Sequence, residues 1–316
     1  MITPPRNILC SYHYFKAYDL DRLDRLRIIG DSGAFSARSQ GAEIKTADLA
    51  AWAVRWKHRL AWVASLDVIG DTKASRRNWL KMVNDYGVHG VPTIHFGEHP
   101  SEMDWYVEHG VDFMGLGGLV GIPLQRQMRW LIQVFKYAQA NHPQVRFHGW
   151  GITSDRALHL PFYSVDSSGW TSAMRYGRMA LRDPRPLKRD YEIQFNGRDT
   201  YSPPVARLLR EVYGYHPSEV SRSGGSNREK ITRLAALSAA VGEDRFQRRH
   251  GTITAPTWGL NPSPEAGPHS HLATAVIPNA DPINIQRLNE KAHGPHLHLA
   301  TTDATALVEV NKLNTK

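Results

Sequence analysis

Residues 27–35 read Arg-Ile-Ile-Gly-Asp-Ser-Gly-Ala-Phe, a short apolar run that ends in a polar turn containing glycine. Five later runs end in a polar or glycine-rich turn as well, and helical patterns separate most of them. They cover residues 62–67, 91–95, 111–119, 145–151 and 162–166. Short strands that alternate with helices are typical of a parallel sheet with right-handed crossovers. In a barrel of such units, the chemistry gathers at the C-terminal ends of the strands.

The strand count favours a TIM-type (β/α)8 barrel. A first strand is expected at residues 7–12, which gives about seven strands up to residue 166. Residues 179–181 and 191–195 are weaker candidates for the eighth strand, which leaves an irregular closure of the barrel open. We expect residues 1–196 to form the barrel as a catalytic domain. Residues 197–316 are expected to form a small C-terminal appendage, with a helical segment and a tail rich in Pro, Gly and His.

The C-terminal part contains one internal repeat. Residues 267–274 recur as residues 294–301, and each copy carries a His-x-His pair. On a strand, the two histidines of a pair project to one face. Four such imidazoles could bind a metal ion, but we expect surface histidines of a polar tail and no metal site. The two copies could form paired strands of a small appendage, or a repetitive tail.

The bulk properties exclude several classes of protein. The chain has 316 residues, of which 41% are hydrophobic, and no run approaches the roughly 18 apolar residues of a membrane span. The N-terminus lacks the apolar stretch of a signal peptide, so we expect a cytoplasmic protein that does not bind membranes. Cys10 is the only cysteine, which excludes an internal disulfide and a zinc site of several thiolates. The net charge of +9 favours a polyanionic partner such as nucleic acid, although charge also serves solubility.

Three aspartates follow predicted strands, and one barrel mouth would bring them together. Asp31 suits a general acid or base, and Asp67 offers two acceptors to the N1–H and amine of a guanine-like ring. Asp166 suits attack on an anomeric carbon with a covalent glycosyl intermediate, and Asp31 would then protonate the leaving group. For each of the three, a carboxylate that only caps or satisfies its turn is the alternative.

Two further segments could contact a ligand. Residues 115–121 contain too many glycines for a packed strand end, and their exposed backbone could hold a flat heterocycle. They match neither the dinucleotide spacing nor the nucleotide-triphosphate loop. The basic stretch that follows Asp166 includes Arg175, Arg178, Arg182 and Arg185, then Lys188 and Arg189, with Trp170 and Tyr176 interleaved. This stretch could hold phosphates at the mouth, or it is a solvated helix face.

Taken in order, these segments resemble the tRNA-guanine transglycosylase superfamily over residues 7–183. Residues 31–35 are similar to its Asp-Ser-Gly-Gly-Phe turn, and Asp67 stands where the family has its base-reading aspartate. Residues 117–119 match its Gly-Gly-Leu loop, residues 149–151 resemble its Gly-Val-Gly turn, and Asp166 stands at the place of the nucleophile.

Two departures point to one branch of this superfamily. The tRNA enzymes have a zinc site of three cysteines and one histidine after the nucleophile, and this chain has no cysteine there. Their base-contacting glutamine would fall near His95, where no glutamine stands. The chain looks more like the 7-deazaguanine DNA transglycosylases of phages and bacterial DNA-modification islands.

The resemblance implies a glycosyltransferase of the pentosyltransferase type. It would replace guanine in DNA with a 7-deazaguanine such as preQ0, through a covalent aspartyl-ribosyl intermediate and without a cofactor. Its partners would be DNA, the free base and accessory modification proteins, in the host cytoplasm if a phage encodes it. Alternatives are guanine exchange in tRNA, a barrel glycosidase acting on free sugars, and a non-catalytic nucleic-acid-binding protein.

The same resemblance implies roles for individual residues. The catalytic pair would be Asp166 and Asp31. The base would be bound by Ser32, Asp67, His95, Gly117, Gly118, Leu119, Gly149 and Trp150. The nucleic acid would be bound by Arg175, Arg178, Arg182 and Arg185.

Overall fold

The computed structural model describes residues 2–152, 154–185, 190–195, 201–221, 227–261, 269–274 and 311–314. Eight parallel strands form one curled sheet, and two further strands pair with each other. In chain order the strands are β1 (Asn7–Ser11), β2 (Arg27–Asp31), β3 (Leu60–Val63), β4 (Thr93–His95), β5 (Phe113–Gly117), β6 (Arg146–Gly149), β7 (Ser164–Ser167), β8 (Arg178–Leu181), β9 (Tyr191–Gln194) and β10 (His269–Thr274).

The large sheet closes on itself. Its order is β3-β2-β1-β10-β7-β6-β5-β4, so β3 and β4 are the two end strands. They meet just beyond β3, where Ala64 forms a parallel bridge with Val91. The Ser65 backbone N–H donates to the Val91 carbonyl at 2.9 Å, and the Val91 N–H donates to the Val63 carbonyl at 2.8 Å. The expected TIM-type (β/α)8 barrel is therefore confirmed.

Helices separate most of the strands. They are α1 (Tyr12–Phe15), α2 (Ala34–Ser39), α3 (Thr46–Arg55), α4 (Thr72–Tyr86), α5 (Glu102–Glu108), α6 (Leu124–Asn141), α7 (Ser172–Tyr176), α8 (Pro203–Leu208) and α9 (Arg228–His250). In α4, the Asp71 side chain caps the first turn by accepting from the Ala74 N–H, and Gly87 ends the helix in the left-handed conformation. Helices α4 and α6 both contribute to the core, since Met82 of α4 and Leu131 of α6 are fully buried.

The eighth barrel strand is not where the sequence placed it. The strand between β1 and β7 is β10, which comes from the first copy of the histidine repeat. His271 of this strand is buried, so the expectation of a surface histidine is wrong at this position. The two predicted segments instead form the antiparallel pair β8–β9. The physical reason lies in the burial pattern of β8, where Met179 and Leu181 are buried while Arg178 and Ala180 are exposed. A strand of a parallel barrel is buried on both faces, whereas β8 is buried on one face only.

The position of β10 also bears on the predicted domain boundary. Residues 228–274 supply α9 and the eighth strand, so a division at residue 196 does not separate the barrel from an appendage. The second repeat copy, residues 294–301, lies outside the described residues, as do Lys188 and Arg189. Among the described helices, none is both long and apolar enough to cross a membrane.

The barrel interior is aromatic near its C-terminal end. Trp62 of β3 packs edge-on against Phe113, His148 and Trp150, with ring centroids 4.9–5.7 Å apart. His271 of β10 approaches the same indole at 6.3 Å. These rings form the floor beneath the C-terminal ends of the strands.

Candidate active site

A cavity of about 610 Å³ opens at the C-terminal face of the barrel. This volume lies within the range of roughly 300–1,000 Å³ that small-molecule sites occupy. The three aspartates line it together, since Asp31 ends β2, Asp67 follows β3 and Asp166 lies in β7. Seven more of the residues predicted to contact a ligand line the same cavity: Ser32, His95, Gly117, Gly118, Leu119, Trp150 and Arg175.

Asp31 has an altered acidity. Burial raises its pKa from the ordinary 3.8 to about 6. The nearby Gly33 backbone N–H and Ser11 hydroxyl oppose this rise in the pKa, whereas the charges of Asp67 and Asp166 add to it. A carboxyl group with a pKa near 6 gains and loses a proton readily close to neutral pH, as a general acid or base must.

Asp166 is oriented by two donors that meet one of its oxygens. The Gly151 backbone N–H donates to Oδ1 at 2.9 Å, and His148 Nε2 lies 3.3 Å from the same atom. Among the described residues, none donates a hydrogen bond to Oδ2, which leaves that oxygen for a ligand. His148 contacts Ser164 in turn, with 2.8 Å between Nδ1 and the hydroxyl oxygen.

Asp67 forms a tight pair with His95. His95 Nε2 lies 2.5 Å from Asp67 Oδ2, and Glu98 accepts a hydrogen bond from the His95 backbone N–H at 2.9 Å. Burial by itself lowers the pKa of His95, but the hydrogen bond and charge of Asp67, with the charge of Glu98, outweigh it and raise the pKa. The Ser32 hydroxyl lies 3.5 Å from Asp67 Oδ1. Oδ1 is therefore the oxygen of Asp67 that is more available to a ligand.

Trp150 forms an aromatic wall of the cavity. Its indole Nε1 donates to the Thr93 hydroxyl at 3.0 Å. A Cβ atom at Gly115 would lie 2.1 Å from this nitrogen, and one at Gly117 would lie 3.1 Å from indole Cδ1. Two glycines of the 115–121 segment therefore make room for the indole, a reason that the sequence did not reveal.

Gly149, predicted to contact the base, does not line the cavity. A Cβ atom there would lie 2.6 Å from Ile152 Cγ1 and 2.9 Å from a ring carbon of Phe162. This glycine is needed for close packing behind the strand. The neighbouring Gly151 lines the cavity and donates to Asp166 instead.

The four predicted phosphate-binding arginines are dispersed. Arg175 lines the cavity, and its Nε and Nη2 atoms are buried without a hydrogen-bond partner among the described residues. Burial lowers the pKa of this guanidinium. Arg178 is exposed on β8 and does not line the cavity.

The other two arginines are held by neighbouring groups. Arg182 lies 3.9 Å from an Asp190 oxygen and contacts the Ser238 carbonyl. Arg185 binds Asp183 at 2.5 Å. Since neither lines the cavity, the four arginines do not form one continuous surface at its mouth.

Several residues of this site were not predicted from the sequence to contact the catalytic groups or the ligand. His148 and Ser164 lie beside Asp166, but nothing in the sequence distinguishes them from structural residues. Gly151 belongs to the 149–151 turn that carries part of the family resemblance, but its hydrogen bond to Asp166 was not predicted. Phe35 and Tyr176 line the mouth and are 47% and 61% exposed, unusual values for large aromatic side chains. An aromatic residue beside a predicted functional turn was the available signal for Phe35.

Comparisons with family models, curated proteins and solved structures found no match to this chain. Within the described parts of the chain, no three His, Cys, Asp or Glu side chains are grouped so that they could hold a metal ion.

Proposed function

We propose that this protein exchanges guanine in DNA for a 7-deazaguanine base, through a covalent intermediate on Asp166. The observation that carries the proposal is that Asp31, Asp67 and Asp166 line one cavity large enough for a nucleoside. The ordered resemblance to the guanine transglycosylases over residues 7–183 supports the choice of reaction.

The reaction would be a double displacement. Oδ2 of Asp166 attacks C1′ of the deoxyribose, the C1′–N9 bond breaks, and its electron pair stays on guanine, which takes a proton from Asp31. The incoming base then attacks C1′ through its own ring nitrogen and gives its proton to Asp31. The C1′–Oδ2 bond breaks and the pair returns to the Asp166 carboxylate. The raised pKa of Asp31 suits both proton transfers.

The walls of the cavity suit a purine-like ring. Asp67 Oδ1 would accept from the N1–H and the exocyclic amine, and the backbone of Gly118 and Leu119 would contact the ring edge. The Trp150 indole lines the same cavity and offers a flat apolar surface. These groups recognise guanine and a 7-deazaguanine alike, because both present the same donors.

The rim suits a nucleotide that has left the helical stack. An enzyme that acts on a base in a duplex must extrude it into the pocket. Phe35 and Tyr176 expose aromatic surface at the mouth, and Arg175 offers a cation beside the carboxylates. The positive net charge of the chain suits the polyanion.

Incubation with a labelled 7-deazaguanine and either duplex DNA or tRNA tests the proposal. We expect label in DNA, and none with Asp166→Ala. Asp155→Ala is the matched control, since it makes the same change at an exposed position outside the cavity.

The other outcomes separate the alternatives. Label in tRNA alone would replace DNA by tRNA as the substrate. Hydrolysis of simple glycosides without exchange would indicate a glycosidase. Binding of DNA without exchange, also when candidate accessory proteins are added, would indicate a non-catalytic binding protein.

A further inference from the structure

The imidazole of His148 contacts Asp166 and is surrounded by aromatic rings. The side chain is fully buried. The imidazole packs edge-on against Trp62 and Trp150, with ring centroids 4.9 and 4.3 Å away, and lies 5.9 Å from the His271 ring. In the orientation that this packing holds, Nε2 faces Asp166 and Nδ1 faces Ser164.

The hydrogen bonds fix which nitrogen carries the proton. A carboxylate only accepts hydrogen bonds, so His148 Nε2 must donate to Asp166 Oδ1. Burial lowers the pKa of His148, although the hydrogen bond and charge of Asp166 oppose this, so the imidazole is neutral and has one N–H. Nδ1 is then an acceptor, and the Ser164 hydroxyl donates to it at 2.8 Å.

We propose that His148 is a positioning residue that holds Oδ1 of Asp166 and, together with the Gly151 N–H, assists release of the Asp166 carboxylate from the covalent intermediate. This inference rests on the proposed function. Ser164 contributes by keeping the imidazole in the tautomer with the proton on Nε2.

The expected effect differs between the two halves of the reaction. Donors on Oδ1 bind a charged carboxylate more strongly than the carbonyl oxygen of an ester. They therefore favour the state in which the C1′–Oδ2 bond is broken. Loss of one donor should slow breakdown of the intermediate and should slow its formation less, so the intermediate should accumulate.

The test uses rapid quenching of the full-length protein with labelled DNA and a 7-deazaguanine. We expect His148→Phe to reduce steady-state exchange by about 10- to 100-fold, the effect of one charge-assisted hydrogen bond, and to raise the fraction of protein bound covalently to DNA. His148→Gln should restore part of the rate, because its amide nitrogen can donate from a position near that of Nε2. His250→Phe is the matched control, since His250 is buried but binds the Leu158 carbonyl away from the cavity.

Two results would overturn the role of His148. One is turnover by His148→Phe equal to that of the wild type, and the other is slower turnover without a higher covalent fraction. If His148→Phe does not fold, His148→Gln and Ser164→Ala decide by the same two measurements, with a smaller increase in the covalent fraction expected for each.

The tautomer can be measured without any substrate. ¹⁵N NMR of labelled histidine in the wild type should show the proton of His148 on Nε2, and a proton on Nδ1 would overturn the arrangement. A wild-type protein that performs no exchange would refute the proposed function and with it the release step, so the two failures are distinguishable.

Discussion

Replacing Asp31 by asparagine should stabilise the protein while it removes activity. In the folded protein, burial beside two other carboxylates raises the pKa of Asp31 from 3.8 to about 6. This difference corresponds to about 3 kcal/mol of destabilisation once the carboxyl group is ionised in both states. Because Asp31 is only partly buried, about 3 kcal/mol is an upper value.

The pH dependence has a definite sign. The folded state holds the Asp31 proton more tightly than the unfolded state, so its contribution to stability falls as pH rises from 3.8 to about 6 and is constant above that. Asparagine does not ionise, and it can still accept from the Gly33 N–H. The gain from Asp31→Asn should therefore grow with pH, from at most about 1 kcal/mol near pH 4.5 to at most about 3 kcal/mol near pH 8.

Urea unfolding at both pH values measures the gain in the free energy of unfolding, and the base-exchange assay measures the loss of activity. We expect exchange to fall by about 10²- to 10⁴-fold, the usual contribution of a general acid and base. Asp71→Asn is the matched control, because the exposed cap of α4 keeps its acceptor oxygen. A gain that is equal at the two pH values, or unchanged exchange, would refute this account of Asp31.

Four further predictions concern other parts of the structure. Arg175→Glu should weaken DNA binding and reduce the slope of log affinity against log salt concentration by about 1 or more. Arg178→Glu, on a surface outside the cavity, should change the affinity and the slope less. Equal effects of the two variants in titrations at several salt concentrations would show that the polymer binds elsewhere. Asp67→Asn should raise KM for the free base by about 10- to 100-fold, with a smaller change in kcat. The reason is that the asparagine amide places an N–H donor opposite the N–H donors of the ring. An unchanged KM in steady-state kinetics would contradict base recognition by Asp67. Glu243→Gln should raise the free energy of unfolding by about 3 kcal/mol above pH 7 and by less near pH 5. The reason is that burial raises the pKa of Glu243 from 4.5 to about 7. A gain in stability that is independent of pH in urea titrations would refute this role of the buried carboxyl group. Gly149→Ala should lower the free energy of unfolding by about 1–3 kcal/mol, because its Cβ would overlap Ile152; unchanged thermal unfolding would show that the strand yields.

The sequence predicted the barrel and its carboxylates because both depend on local patterns. Apolar runs such as Arg27–Asp31 end in polar turns, and the C-terminal ends of parallel strands meet at one face. The convergence of Asp31, Asp67 and Asp166 follows from that topology and needs no knowledge of side-chain packing. The cavity lining confirms their shared location, and their roles stay predictions.

The eighth strand could not be found by the same reasoning. The His269–Thr274 strand reads His-Ser-His-Leu-Ala-Thr, which lacks the apolar run of a strand buried on both faces. Its place is determined by backbone pairing with β1 and β7, with His271 opposite Asp166. Pairing between distant segments leaves no mark in the local sequence.

The surroundings of Asp166 were hidden for a related reason. His148 and Gly151 bind the Asp166 carboxylate only because β6 and β7 are neighbours in the sheet. In the basic stretch, Arg185 pairs with Asp183, which a count of positive charges does not reveal. Of the four predicted arginines, only Arg175 therefore contributes its charge to the cavity.

Trapping of the covalent intermediate tests the central claim most directly. The protein is incubated with duplex DNA without any incoming base, denatured and digested, and its peptides are analysed by mass spectrometry. We predict a deoxyribosyl adduct on the Asp166 side chain and release of one guanine for each adduct. Guanine exchange without an adduct, or an adduct on Asp31 or Asp67 in place of Asp166, would contradict the account.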